Sequence, residues 1–248
     1  MTSERSGEVR EGVGVRFAAP LLACSVPFLL LSSAIRVEMN SLGLYARGFR
    51  VYGVSHVTGL SMDYLEQAAS RLIHYFNSLV DSPQMVVSHA DGIPFELFHD
   101  YELIHLADVK VLFAANSVVQ ACSLLLVVAI VLAGLSLGRR ADVLVGLQRG
   151  AIATLVLLAA SAMAFVVDFG QMFVVFHLVA FDNPFWLLDP LTDYLVMLFP
   201  FGFWQDMFLI AGASTGLAAG GLYVFTTRSI AGSRRPGTNR PRPTAERP

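Results

Sequence analysis

Four long apolar runs divide this chain: Phe17 to Ile35, Val109 to Leu137, Ala151 to Phe176 and Trp204 to Thr227. Each reaches the roughly 17 to 25 residues that a helix needs to cross about 30 Å of hydrocarbon, so the pattern predicts four transmembrane helices. The segment between the first two runs is of mixed polarity and long for a connection without structure of its own. Within it, Leu65, Ala68, Ala69, Leu72, Ile73, Phe76 and Leu79 recur at helical spacing. Ser61 precedes them as a natural N-cap, with Asp63 in the first turn. An amphipathic helix is expected there, resting on the bundle or in the lipid headgroups. Gly43, Gly48 and Gly53 before it and Ser82-Pro83 after it mark irregular chain. The alternation from Phe49 to Val54 is too short to predict a strand. The expected fold is an all-α integral membrane protein with four transmembrane helices and a partly helical segment between the first and second.

Composition agrees: of 248 residues, 55% are hydrophobic and only 15% charged, too apolar a balance for a soluble domain. The net charge of -2 says little, but the placement of the charges says more. Twelve of the seventeen Lys and Arg residues fall in the N-terminal tail, in the connection holding Arg139, Arg140 and Arg149, and from Arg228 onward. Four spans put these three segments on one side, and the positive-inside rule makes that side cytoplasmic, both termini included. Fourteen of the nineteen acidic residues go to the other side, counting Asp168 and Asp206 with it. The chain divides into a tail at 1–16, a membrane domain at 17–228 and an Arg/Pro-rich tail at 229–248, the last expected to be disordered and to touch anionic lipid. Leu21-Leu22-Ala23-Cys24 looks like a lipoprotein cleavage signal, but apolar residues continue to Ile35, so an uncleaved first span is the better reading. Cys24 and Cys122 give neither a disulfide framework nor a metal motif and are expected to be packing residues. There is no internal repeat and no glycine-rich phosphate loop, and the cytoplasmic parts are too short for a nucleotide-binding domain. Neither nucleotide nor nucleic acid is an expected partner.

Two histidines stand out, each at the outward end of an apolar run. His105 lies in Glu102-Leu-Ile-His105-Leu-Ala-Asp108-Val-Lys110, and His177 follows Phe176 ahead of Asp182-Asn183-Pro184-Phe185-Trp186. If Asp100 caps the second span, Glu102, His105 and Asp108 line one helical face, where carboxylates can orient an imidazole. The same acids also suit a helix start through the macrodipole, so the stripe alone does not make a site. A short connection makes the second and third spans antiparallel neighbours, which lets both imidazoles reach one place near the outer leaflet. Asp168, inside the third span, is expected to form an interhelical hydrogen bond, because nine residues place it on the face opposite His177. Trp186, Tyr194 and Trp204 suit an interfacial aromatic belt. His56, His74, His89 and His99 are expected to be solvated loop residues.

Several short motifs occur in order: Thr58-Gly59-Leu60-Ser61, the helix ending Leu72-Ile73-His74-Tyr75, Glu102-x-x-His105-x-x-Asp108-Val109-Lys110, Asp168-Phe169 leading to Phe176-His177, Asn183-x-x-Trp186, and Pro200 before the last run. Together they make roughly residues 15 to 228 resemble the family of small four-span bacterial membrane proteins that includes the lipoprotein intramolecular transacylases. The resemblance implies a bacterial plasma-membrane enzyme that moves the sn-2 acyl chain of a diacylglyceryl lipoprotein to the amine of that lipoprotein's N-terminal cysteine. It implies that His105 and His177 match the family's two essential histidines, and that diacylated lipoprotein and membrane lipid are the partners. The residues suit such chemistry. An α-amine with a pKa near 8 can lose its proton to an imidazole with one near 6.5, and an imidazole can return a proton to the departing alkoxide. An acyl-imidazole intermediate is the other route. Tyr75, Asn183, Trp186 or backbone amides at the start of the second span can serve an oxyanion. No cofactor or metal is expected, since an ester already carries the driving force. The rival readings are a haem held by the two histidines, a zinc ion held by them with Asp108 or Glu102, a non-catalytic scaffold, and, more weakly, a transporter.

Overall fold

The computed structural model describes residues 18–233; the two tails, with their expected disorder and lipid contact, lie outside the described residues. Four helices are long and apolar enough to cross a membrane: α1 (Ala18–Met39), α5 (Asp100–Ser136), α6 (Arg140–Ala180) and α8 (Phe201–Ser233). Between α1 and α5 lie α2 (Leu42–Val51), α3 (Val54–Thr58), α4 (Met62–Asn77) and a hairpin of β1 (Val86–Ser88) with β2 (Pro94–Glu96). A short α7 (Tyr194–Leu198) precedes α8. The protein is thus an integral membrane bundle whose partly helical segment also holds a small antiparallel hairpin, with Val87 opposite Phe95.

α5 and α6 outlast their apolar runs. With 37 and 41 residues, α5 and α6 are about 55 and 61 Å long at 1.5 Å per residue, far more than the ~30 Å of hydrocarbon. The turn between them is correspondingly tight. Gly138 takes φ +69°, its N–H donates to Leu135 O and Arg139 N–H donates to Gly134 O, a left-handed glycine stop that satisfies the last carbonyls of α5. Arg140 and Arg149 therefore lie on α6, rather than in a connection.

The second and third spans meet as expected at their turn and at the histidine end, but not along the whole of their length. Along most of their length α1 lies against both of them, and α8 packs chiefly on α6. The cause is steric: a Cβ on Gly150 would stand 2.6 Å from Val26 Cβ, and one on Gly146 2.9 Å from Leu22, so small residues on α6 let α1 come close. α1 and α5 are joined by polar side chains, with Asn116 Nδ2 donating to Ser32 O, Gln120 Nε2 to Ser33 Oγ and Arg36 to Gln120 Oε1. Val111, Leu125, Val156, Val166 and Leu217 are exposed, as a lipid-facing surface requires. Cys24 and Cys122 are exposed as well, not packed as expected.

At the histidine end, the buried faces of α2 and α4 join the hairpin and the α7–α8 corner in one core that includes Tyr45, Phe49, Leu65, Leu72, Tyr75, Val87, Leu198 and Phe203. Ser61 caps α4 as predicted, its Oγ accepting from Tyr64 N at 3.3 Å. The apolar stripe of α4 covers this core, but the helix ends at Asn77, so Leu79, expected in the stripe, lies beyond it and is exposed. The predicted belt residues Tyr194 and Trp204 belong to the same packing, Trp204 against Phe199 and Phe203.

Candidate active site

His105 sits in the second turn of α5 and His177 one turn before the end of α6. Both are buried, at 7% and 8% exposure. Their rings stack with centroids 6.1 Å apart and planes 29° apart, so two residues 72 positions apart share one small space. Phe181 packs on both rings, at 4.8 and 5.4 Å, while Phe173 and Trp186 lie 4.2 and 5.0 Å from His177. The pair therefore occupies a largely aromatic cage. Sequence reading missed Phe173 and Phe181, although their spacing of four on either side of His177 puts them on its helical face.

Hydrogen bonding distinguishes the two imidazoles. His177 Nδ1 lies 2.7 Å from Phe173 O. A carbonyl only accepts, so this contact assigns the proton to Nδ1 and leaves the lone pair on Nε2. Nδ1 of His105 is buried and has no hydrogen-bond partner among the described residues. Buried polar atoms are nearly always satisfied, so this nitrogen stands out among the described residues.

The acids do not orient the imidazoles as expected. His99, not Asp100, holds the N-cap position of α5, and Glu102 Oε2 accepts from His99 N at 2.7 Å. Glu102 Oε1 accepts from Leu195 N at 2.7 Å, so this fully buried carboxylate ties the start of α5 to α7. Asp108 Oδ2 accepts from Asn183 Nδ2 at 2.8 Å, and Asn183 Oδ1 accepts from Phe185 N, which sets the loop carrying Trp186 beside His177. Among the described residues, no three His, Cys, Asp or Glu side chains are grouped to hold a metal ion.

Tyr75 is buried on α4 with Lys110 Nζ 4.1 Å over its ring. Burial first, then the carboxylates of Asp108 and Asp81, push its phenol above the ordinary value, so it stays a hydrogen-bond donor at neutral pH. Asp168 does not bond across helices. It breaks α6 with φ −165° and ψ 96°, and its Oδ1 accepts from Gln171 N at 2.9 Å. His89 is not a solvated loop residue: its Nε2 lies 3.1 Å from both Thr58 O and Tyr194 Oη, and Phe95 packs on the ring. His99 stacks on Tyr101, while His56 and His74 lie on α3 and α4.

Comparison with known proteins agrees with this frame. No curated protein matches the chain. Among solved structures it is similar to the membrane integral lipoprotein intramolecular transacylase Lit from Bacillus cereus, with TM-score 0.72 and 19% identity over 89% of this chain and 99% of that one. Two forms of that protein with a histidine replaced are similar too. The arginine form gives TM-score 0.69 and 18% identity over 94% of this chain and 100% of that one. The alanine form gives 0.73 and 17% over 92% and 99%. At such identities the likeness shows a shared fold. A family model described as lipoprotein intramolecular transacylase Lit matches residues 20–204, and on that match this chain belongs to the lipoprotein intramolecular transacylase family, a family of enzymes integral to the membrane.

Proposed function

We propose that this protein moves the sn-2 acyl chain of a diacylglyceryl lipoprotein onto the amine of that lipoprotein's N-terminal cysteine, with His105 and His177 managing the protons. The observation that carries this reading is the stacked pair in its aromatic cage, where one imidazole has an unsatisfied buried nitrogen and the other a lone pair fixed on Nε2. Ester-to-amide transfer needs a proton acceptor and a proton donor within reach of one reacting carbon, and two neighbouring imidazoles supply both.

In the first step the neutral amine attacks the ester carbonyl and its proton passes to an imidazole, His177 Nε2 being set to accept it. Tyr75, Trp186 and the remaining amide hydrogen of Asn183 are the candidate donors to the oxyanion. Collapse breaks the acyl carbon–glycerol oxygen bond, and an imidazolium returns a proton to the glycerol oxygen. The products are an N-acyl amide and a free sn-2 hydroxyl, with no atom gained or lost. Aromatic walls exclude water, which protects the acyl group from hydrolysis. The acyl chains stay in the lipid throughout, so the enzyme's partners are the lipoprotein and the surrounding membrane lipid, and the reaction calls for neither nucleotide nor nucleic acid. Asp108, Asn183 and Glu102 act as positioning residues that hold the loop and helix ends around the pair.

The test is expression in a bacterial host lacking other N-acylating enzymes, followed by mass spectrometry of one abundant lipoprotein. Total mass should stay constant while fragment ions move one acyl chain from glycerol to the amine. His105→Ala and His177→Ala should each lower the shift by at least about 100-fold, the usual contribution of a general acid or base. Both should still insert, since neither shortens an apolar span. Unchanged diacylglyceryl lipoprotein beside well-expressed wild type would sink the assignment.

A further inference from the structure

Just beyond the C-terminal end of α4 lies an apolar feature that the proposed reaction does not use. Leu79 is 98% exposed and Val80 is 40% exposed, yet both sit on a segment tied down at three points. Asn77 Nδ2 donates to Asn40 Oδ1 at 2.6 Å, just beyond the end of α1. Phe76 stacks on Phe113 of α5 with centroids 4.4 Å apart. Lys110 Nζ donates to Val80 O at 2.6 Å. A leucine held open by such tethers is not a loose loop tip, so its surroundings must be chosen by where the tethers place it.

The Lys110 contact places it level with the start of the uncharged stretch of α5. Lys110 is the last charged residue of α5 before an uncharged stretch that runs to Gly138, and the next residue, Val111, is 67% exposed among the lipid-facing side chains. Lysines at such an edge run their stems along the apolar surface and direct the ammonium toward polar groups, here the Val80 carbonyl. Lys110 thus ties Val80 to the residue that precedes the exposed Val111. The opposite end of α4 is polar, with Asp63 and Gln67 exposed. The apolar pair therefore lies just beyond a helix whose own exposed face is polar, from Asp63 to Asn77.

We propose that Leu79 and Val80 form a wedge seated in the leaflet on the histidine side of the membrane, anchoring α4 at the bilayer edge. The occupant of this surface is the lipid itself, at the depth of about 5–10 Å typical of interfacial apolar side chains. The inference stands on the tethers and exposures alone and does not depend on the transacylase reading.

The experiment replaces Cys24 and Cys122 with alanine and introduces Leu79→Cys or, as the water-facing reference, Gln67→Cys. Each is labelled with bimane and the full chain is placed in nanodiscs of phosphatidylethanolamine and phosphatidylglycerol. Acyl-brominated lipid should quench the label at position 79 several-fold more than that at 67, and aqueous iodide should do the reverse. Equal iodide quenching at both positions would overturn the wedge. Protection from iodide without quenching by brominated lipid would also overturn it, because the surface would then be covered by protein. Leu79 packs against almost nothing, so its replacement leaves the core intact.

Discussion

Asp193 shows how a single buried carboxylate can hold a corner of this molecule. Its Oδ1 accepts from Tyr101 Oη at 2.6 Å and Thr192 Oγ1 at 2.9 Å, and its Oδ2 accepts from Asp189 N at 2.7 Å. Burial alone would raise its pKa, but the hydrogen bonds from Tyr101, Asp189 and Thr192 overcome that and hold it below the ordinary carboxylate value of 3.8. A group whose folded pKa is depressed contributes stability that is present above its unfolded pKa and lost as pH falls through its folded pKa. Melting of the purified protein between pH 6 and pH 3 should therefore show a loss below about pH 4 that Asp193→Asn reduces. Asp193→Ala should cost on the order of 3 kcal/mol at neutral pH, since it strands donors that met a charged acceptor. A wild-type melting point that does not change down to pH 3 would remove this account. Glu102 also serves the scaffold that presents His105, by joining the start of α5 to α7 through the His99 and Leu195 amides.

Among the elements, α6 is better understood as two helices joined at Asp168. The residue leaves helical geometry and its carboxylate takes the Gln171 N–H, which is the task of an N-cap at the start of the segment that carries His177. A helix start left without an acceptor costs about 0.5–2 kcal/mol, while asparagine caps as well as aspartate does. Asp168→Ala should accordingly destabilise the segment from Gln171 to His177, measured by faster amide exchange there, and should slow acyl transfer. Asp168→Asn should restore both. Should asparagine fail as alanine does, the charge rather than the cap would be what matters, and the residue would have to be assigned to proton movement instead.

For the whole molecule, the arginine distribution sets an orientation that can be measured directly. We propose that both termini and the α5–α6 turn face the cytoplasm, while the histidine pair and the folded unit of α2, α3, α4 and the hairpin face outward. In intact cells, a membrane-impermeant maleimide should label Ser61→Cys and Asn183→Cys but not Arg140→Cys in a chain freed of Cys24 and Cys122. Labelling near Arg140 without labelling at Ser61 would invert the protein and place the acyl transfer on the wrong leaflet for an exported lipoprotein. The long α5 and α6 are consistent with a bundle whose histidine end stands proud of the hydrocarbon, where the loop of Asn183 and Trp186 lies beside His177.

Features set by local composition were legible in the sequence. Apolar runs of spanning length predicted four membrane helices, a serine before a helical stripe predicted α4 and its cap, and two histidines at matching ends of consecutive spans predicted that their rings come together. Each depends on length, period or position along one helix, which a linear chain displays. What needed the tertiary structure depends on contacts between distant segments. Glycines on α6 allow α1 to lie against the second and third spans, and a glutamate three residues from His105 reaches the backbone of α7 instead of the ring. The hydrogen-bond partner of a polar side chain is decided by which backbone group is left unsatisfied nearby, and that is known only once the helices are packed. Asp168 shows the difference most clearly: its position within an apolar run singled it out, but only the folded chain shows that it caps a break in its own helix.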